Sequence, residues 1–306
     1  MRVLPGKMKA NQQLVFSPDG RLLVCGGNSR GVAIWDVTTS EPPIRVFDQE
    51  GRGGHHPTTI HFDANTGRLF VAFVTGGVWT RSADGVVDNL KFSDGEPSQL
   101  NGFAISPDST SLVLTCYKKY QTVLVRHDLD SGMLGESVWE IEEGYHWEGP
   151  FVFRPGTEEL FGRGGSANSR TFLSRDLADG SLSTGYPFET VAGETAIGWN
   201  LSPDGQRVAF STQNRIRVME LATGSETQLA VEPGSVGRAI AFHPSGGILG
   251  VASGDGVKLL DAHTLTEVRA FSWGNGKVRS LAFAPDGMTA AAVGERGWVT
   301  LWDVDI

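Results

Sequence analysis

Apolar residues come in short runs, such as Leu22–Cys25, Leu112–Cys116, Arg207–Phe210 and Val278–Phe283, each bounded by Gly, Pro, Asp or Ser. Short apolar runs punctuated by turn residues predict strands joined by tight turns. One anchor occurs seven times: an apolar residue ends a run and meets a turn of the Ser-Pro-Asp-Gly type. The anchors are Phe16, Phe62, Ile105, Phe153, Leu201, Phe242 and Phe283, at intervals of 41 to 48 residues. That period suits four short strands with their turns. The turn chemistry is geometric: Pro sets φ at the first corner, Asp bonds local backbone, and Gly accepts the positive φ that follows.

The runs before and after each anchor are predicted to be strands a and b. A third run, strand c, ends eighteen to twenty-two positions after the anchor in a bulky residue and an acid: Trp35-Asp36, His127-Asp128, Arg175-Asp176, Met219-Glu220, Leu260-Asp261 and Trp302-Asp303. The second repeat has Arg81-Ser82 instead. The acid opens the turn into strand d, as in Asp176-Leu177-Ala178-Asp179-Gly180. Four strands this short cannot bury both faces alone, so the repeats must pack on one another. The last repeat has no strand d after Trp302-Asp303. Leu4 precedes Phe16 by the same twelve residues that separate Phe271 from Phe283, so Met1 to Leu4 is expected to pair beside Val299 to Trp302. The predicted fold is all-β: one seven-bladed β-propeller over residues 1–306, its four-stranded antiparallel blades closed by the N-terminal strand pairing in the last blade.

Composition agrees with this and narrows the function. Forty glycines without a Gly-X-Y period imply many turns. The formal charge of −9, without a Lys/Arg block, disfavours nucleic acid. The start has no signal-type apolar region and no later run approaches a membrane span, so a cytoplasmic protein with no membrane partner is expected. Cys25 and Cys116 sit in apolar runs and are expected to be reduced core thiols.

The anchor turns, the Trp35-Asp36 and Trp302-Asp303 pairs and the staggered closure together resemble the WD-repeat (WD40) family, with degenerate repeats, over essentially the whole chain. The family's more regular members add a Gly-His step before strand a, whose His joins a hydrogen-bonded network with the strand-c Trp. Nine residues before each anchor this chain has Lys7, Gly53, Glu96, Gly144, Ala192, Pro233 and Gly274, so its blades are expected to rely on apolar packing. The resemblance also implies a partner-binding face on which the d–a and b–c loops open.

Function has to be sought among residues of that face, because the fold hosts many activities. Four positions before the anchors lie Gln12, Thr58, Asn101, Gly149, Ile197, Arg238 and Arg279; two positions earlier lie Ala10, His56, Gln99, Trp147, Thr195, Val236 and Lys277. Arg238, Lys277 and Arg279 form a basic patch that Arg296 and Arg30 extend; the plainer alternative is solvation, or pairing with a neighbour such as Glu295. Tyr145-His146-Trp147, with Tyr117 and Tyr120 in the b–c loop of blade three, form an aromatic candidate whose alternative is burial against the neighbouring loop. His55-His56 with His61 lacks the Cys or acid that would complete a zinc set. The Gly-rich stretch from Arg163 to Arg170 reads as a hairpin, and Ser17, Ser106 and Ser202 as turn residues rather than nucleophiles.

A monomeric protein-interaction scaffold is therefore expected, binding a partner peptide or domain through His56, Asn101, Tyr117, Tyr145, Trp147, Arg238, Lys277, Arg279 and Arg296, with no cofactor and no catalytic residues. The alternative is a propeller enzyme of the lactonase-like or quinone-dependent kind. It would have to use His56, Asn101, Arg238 and Arg279 at the channel mouth, where neither column supplies a carboxylate for a divalent cation.

Overall fold

The structure is a computed structural model that describes residues 1–6, 8, 13–27, 31–46, 57–74, 77–90, 100–118, 121–130, 134–140, 146–166, 169–176, 178, 181–187, 196–232, 236–274 and 276–305. Its strands form seven four-stranded antiparallel sheets, the blades of a β-propeller. The chain divides into two compact units. No described helix is long and apolar enough to cross a membrane.

The first unit, Met1–Asp48 with Thr190–Ile306, holds blades one, five, six and seven. Blade one is built from Leu14–Phe16, Leu22–Gly26, Val32–Asp36 and Ile44–Val46. Blade five comprises Gly198–Leu201, Arg207–Ser211, Arg215–Glu220 and Glu226–Ala230, and blade six Val236–Phe242, Ile248–Ser253, Gly256–Asp261 and Glu267–Ser272. Blade seven contains Val278–Phe283, Thr289–Gly294 and Val299–Asp303, completed by Arg2–Val3 in the predicted place. Arg2 pairs with Leu301 and Val3 with Thr300. The Leu4 amide continues the seam to the Val299 carbonyl at 2.9 Å, and the Met8 amide reaches Gly297 at 2.9 Å.

Strand side chains alternate between the two faces of a blade, so each blade offers an apolar surface to both neighbours. Leu4, Met8, Phe16, Trp35, Val293 and Leu301 form a core shared by blades one and seven, which also buries Cys25. Phe242 and Leu249 pack with Ile216 and Val218 between blades six and five, while Trp302 packs with Ala239 and Leu259 between blades seven and six. The Cys116 side chain lies outside the described residues.

The second unit, Gln49–Glu189, holds three blades. Blade two is Pro57–Phe62, Leu69–Phe73, Val78–Arg81 and Val87–Leu90. Blade three is Leu100–Ile105, Ser111–Lys118, Gln121–Asp128 and Leu134–Glu140. Blade four is His146–Phe153, Glu159–Ser166, Ser169–Asp176 and Leu182–Pro187. Phe70, Phe103 and Leu112 fill the space between blades two and three, and Val113, Phe151 and Leu160 that between three and four.

The anchor turns do more than reverse the chain. In blade one Ser17 Oγ donates to Asp19 Oδ1 at 2.5 Å and accepts the Leu22 amide at 2.8 Å, and Asp19 accepts the Arg21 amide at 3.0 Å. Blades three and five repeat the arrangement with Ser106 and Asp108, and with Ser202 and Asp204. Blade two, which lacks the strand-c acid, places the same Ser-x-Asp pair in its c–d turn, where Ser82 donates to Asp84.

Neighbouring turns also latch to one another. Buried Arg207 of blade five donates to the Gly246 carbonyl of blade six at 2.8 Å and lies over the Phe242 ring. His243 of blade six takes the place of the turn Ser and meets the Gly287 carbonyl of blade seven at 2.9 Å through Nε2. Its Nδ1 accepts the Ser245 amide at 3.1 Å, so Nε2 carries the proton and donates. In the second unit Ser109 of blade three donates to Asp63 of blade two at 2.5 Å, and Asn65 donates to the Pro107 carbonyl at 2.8 Å.

Candidate partner-binding site

At one end of blade seven the loop leading into strand a and the b–c turn lie side by side. The turn runs from Gly294 to Trp298 and closes with the Gly297 amide on the Gly294 carbonyl at 2.8 Å. It is held against the incoming loop twice: the Glu295 amide donates to the Lys277 carbonyl at 2.9 Å, and Arg296 Nη1 donates to the Gly274 carbonyl at 2.9 Å. On its other side Gly297 lies so near Met8 that a Cβ there would fall 1.9 Å from the Met8 carbonyl oxygen. Main-chain contacts on both sides leave the tip little freedom.

Strand a supplies the next element. Val278 pairs with Gly294 and Ser280 with Val293, so Arg279 is the extra residue of a β-bulge. A bulged residue has no place in the ladder and its side chain is re-aimed. Arg279 is exposed and forms an ion pair with Glu295 across the strand-turn junction. Lys277 and Arg296 are exposed as well, and neither has a carboxylate partner among the described residues. Trp298 presents 38% of its surface at the end of the turn. Lys277, Arg279 and Arg296 thus lie on the incoming loop, strand a and the b–c turn at one end of blade seven, and Arg279 pairs with Glu295 as the plainer alternative expects; of the expected patch, the Arg238 side chain and Arg30 lie outside the described residues.

The other bulges show what the column four positions before the anchor means structurally. The register slips at Thr58 between Pro57 and Thr59, and at Asn101 between Leu100 and Gly102. Arg238 of blade six and Gly149 of blade four also fall within irregular stretches of their a–b ladders. Asn101 is half-buried in strand a of blade three.

Two placements differ from expectation. Tyr117 lies in strand b of blade three, opposite Thr122, and Trp147 in strand a of blade four, opposite Gly164, so neither is a loop residue. In both blades the b and c strands run on to a two-residue tip, Lys118 pairing with Gln121 and Ser166 with Ser169. Main-chain pairing extended the strands past the end of the apolar pattern. The side chains of Tyr117, His146, Trp147 and Arg238 lie outside the described residues, as do Arg30, His55, His56, Tyr120 and Tyr145 altogether.

His61 stands exposed in strand a of blade two, edge-on to Phe103 with ring centroids 6.5 Å apart. Among the described residues no three His, Cys, Asp or Glu side chains gather as a metal-binding group. The features that sequence reasoning missed are Trp298 and the turn latches; Trp298 sits three residues beyond Glu295 in a stretch read only for its charges.

Comparison with known proteins bears on the same blades. The family model described as "WD domain, G-beta repeat" matches residues 10–36, which span strands a to c of blade one, and residues 258–303, which run from strand c of blade six to the end of blade seven. A search of curated proteins finds no match to the chain. These two matched regions, together with seven four-stranded blades, support a WD-repeat β-propeller.

Proposed function

We propose that this protein is a monomeric, cytoplasmic protein-interaction scaffold that acts as a single domain and docks a partner's peptide or domain on the end of its blades carrying the d–a loops and b–c turns. WD-repeat propellers commonly serve as such scaffolds and are generally not enzymes. One observation carries the choice of surface: Lys277, Arg279, Arg296 and the exposed Trp298 project from a single tip whose backbone is pinned on both sides. Arg and Trp are the side chains most often found as interface anchors, and a preorganised tip loses little entropy on binding. Asn101, Arg238 and Trp147 belong to strands that reach the same end of their own blades, and His56, Tyr117 and Tyr145 complete the proposed set.

Affinity capture from the source cells tests the reading. The wild type is compared with a variant carrying Lys277→Glu, Arg279→Glu and Arg296→Glu, after thermal melting shows that both are folded. A partner retained by the wild type and lost by the variant is the expected result. Equal capture by both would overturn the assignment to this end of blade seven.

A further inference from the structure

The two ends of the first unit differ in charge. At the a–b and c–d turns of its blades stand Asp19, Asp36, Asp204, Asp261, Asp286 and Asp303, one or two for each blade. Arg21 offsets Asp36 there through an ion pair at 2.8 Å. At the opposite end of blade seven Lys277, Arg279 and Arg296 face one acid of their own blade, Glu295, and Asp255 of the blade six turn. Glu295 already pairs with Arg279, and Asp255 accepts a hydrogen bond from Ser272 at 3.0 Å. Lys277 and Arg296 are left as exposed cations on a chain whose formal charge is −9.

The arrangement orients an incoming charge. A carboxylate-bearing segment is repelled by the turns that carry the aspartates and drawn to the tip, where Lys277 and Arg296 stand on a loop and a turn joined by hydrogen bonds. Trp298 offers beside them an apolar ring against which a side chain or the peptide backbone can pack. Arg296 presents a guanidinium already oriented by its bond to Gly274, so less side-chain entropy is lost when it meets a carboxylate.

Building on the scaffold reading, we infer that the segment docked at the tip of blade seven is an acidic peptide, its carboxylates meeting Lys277 and Arg296 while Trp298 covers an apolar side chain.

Fluorescence anisotropy on the full chain tests this with three labelled peptides of equal length: one rich in Glu and Asp around a single Leu, its Gln/Asn counterpart, and its Lys counterpart. The acidic peptide is expected to bind at least about tenfold more tightly than the amide peptide, with the difference shrinking as salt is raised. Lys277→Glu with Arg296→Glu should abolish that difference, whereas Met288→Glu, which adds one negative charge at the a–b turn of the same blade, should leave it. Equal binding of acidic and amide peptides, both lost in the Lys277/Arg296 variant, would overturn the acidic assignment and leave the scaffold surface standing. Loss of acidic-peptide binding in Met288→Glu as well would show long-range charge rather than a site, and overturn the inference. Peptide binding indifferent to Lys277 and Arg296 would overturn both.

Discussion

The indole Nε1–H of Trp35 donates to the backbone carbonyl of Pro5 at 2.8 Å, tying strand c of blade one to the segment that has just left blade seven. Trp302 is its counterpart in blade seven and also buried, yet its Nε1 has no hydrogen-bond partner among the described residues. There Trp273 and Phe271 pack around the indole, with ring centroids 4.6 and 5.6 Å away. Without the family's His, one Trp found a main-chain acceptor and the other only aromatic neighbours, so the expected reliance on apolar packing describes blade seven better than blade one.

The two tryptophans should respond differently to the same substitution. Trp35→Phe loses a part-buried hydrogen bond to the Pro5 carbonyl, at a cost of about 1 kcal/mol beyond the loss of ring volume. Trp302→Phe loses comparable volume but removes an unsatisfied donor, and should cost less. Urea unfolding of both variants checks the order.

Closure of blade seven can be loosened without truncation. Gly297 has φ of +81°, and a Cβ there would meet the Met8 carbonyl oxygen. Gly297→Ala should therefore displace Met8 and Leu4 from the core shared by blades one and seven and lower the melting temperature. Deleting residues 1–6 removes buried Leu4 and the paired strand Arg2–Val3 and should lower it further. Calorimetry of the two proteins decides the point; an unchanged transition in the deletion would rule out this role for the N-terminal strand.

The latch between blades six and seven is open to a double-mutant cycle. A Cβ at Gly287, where φ is +74°, would lie 2.5 Å from His243 Nε2. Gly287→Ala should destabilise by roughly 1–3 kcal/mol, from the left-handed backbone and the clash together. His243→Ala removes the hydrogen bond to Gly287 but also relieves the clash. The double variant should thus be less destabilised than the sum of the singles, as read from denaturant midpoints.

Acid should weaken the turns in a defined window. Hydrogen bonds from Thr38, then from Arg21, hold the Asp36 carboxyl at about 2, against an ordinary aspartate value of 3.8. The Ser17 hydroxyl lowers Asp19, and those of Ser106 and Ser202 do the same for Asp108 and Asp204. A folded pKa below the unfolded one stabilises above the unfolded value, and that stability is lost as pH falls through the folded one. The loss should therefore fall between about pH 4 and pH 2. Ser17→Ala with Ser106→Ala and Ser202→Ala should flatten this part of the stability profile followed by circular dichroism.

Number and place of the blades were legible in the sequence because they rest on local chemistry. Pro18, Asp19 and Gly20 specify a turn wherever they occur together, and the spacing of Leu4 from Phe16 left one position for the N-terminal strand. That Lys277, Arg279 and Arg296 share the end of blade seven was legible for the same reason, although the sequence reading grouped the first two with Arg238 and added Arg296 and Arg30 as an extension. Only the tertiary structure decided how these residues are used. The bulge that re-aims Arg279 depends on the register with Val293 and Gly294, and the strands holding Tyr117 and Trp147 are lengthened by main-chain pairing that no apolar pattern records. Arg207 and His243 became latches because each meets a carbonyl of the next blade, some forty residues away, and a hydrogen bond of that reach is set by packing between sheets rather than by the residues beside it.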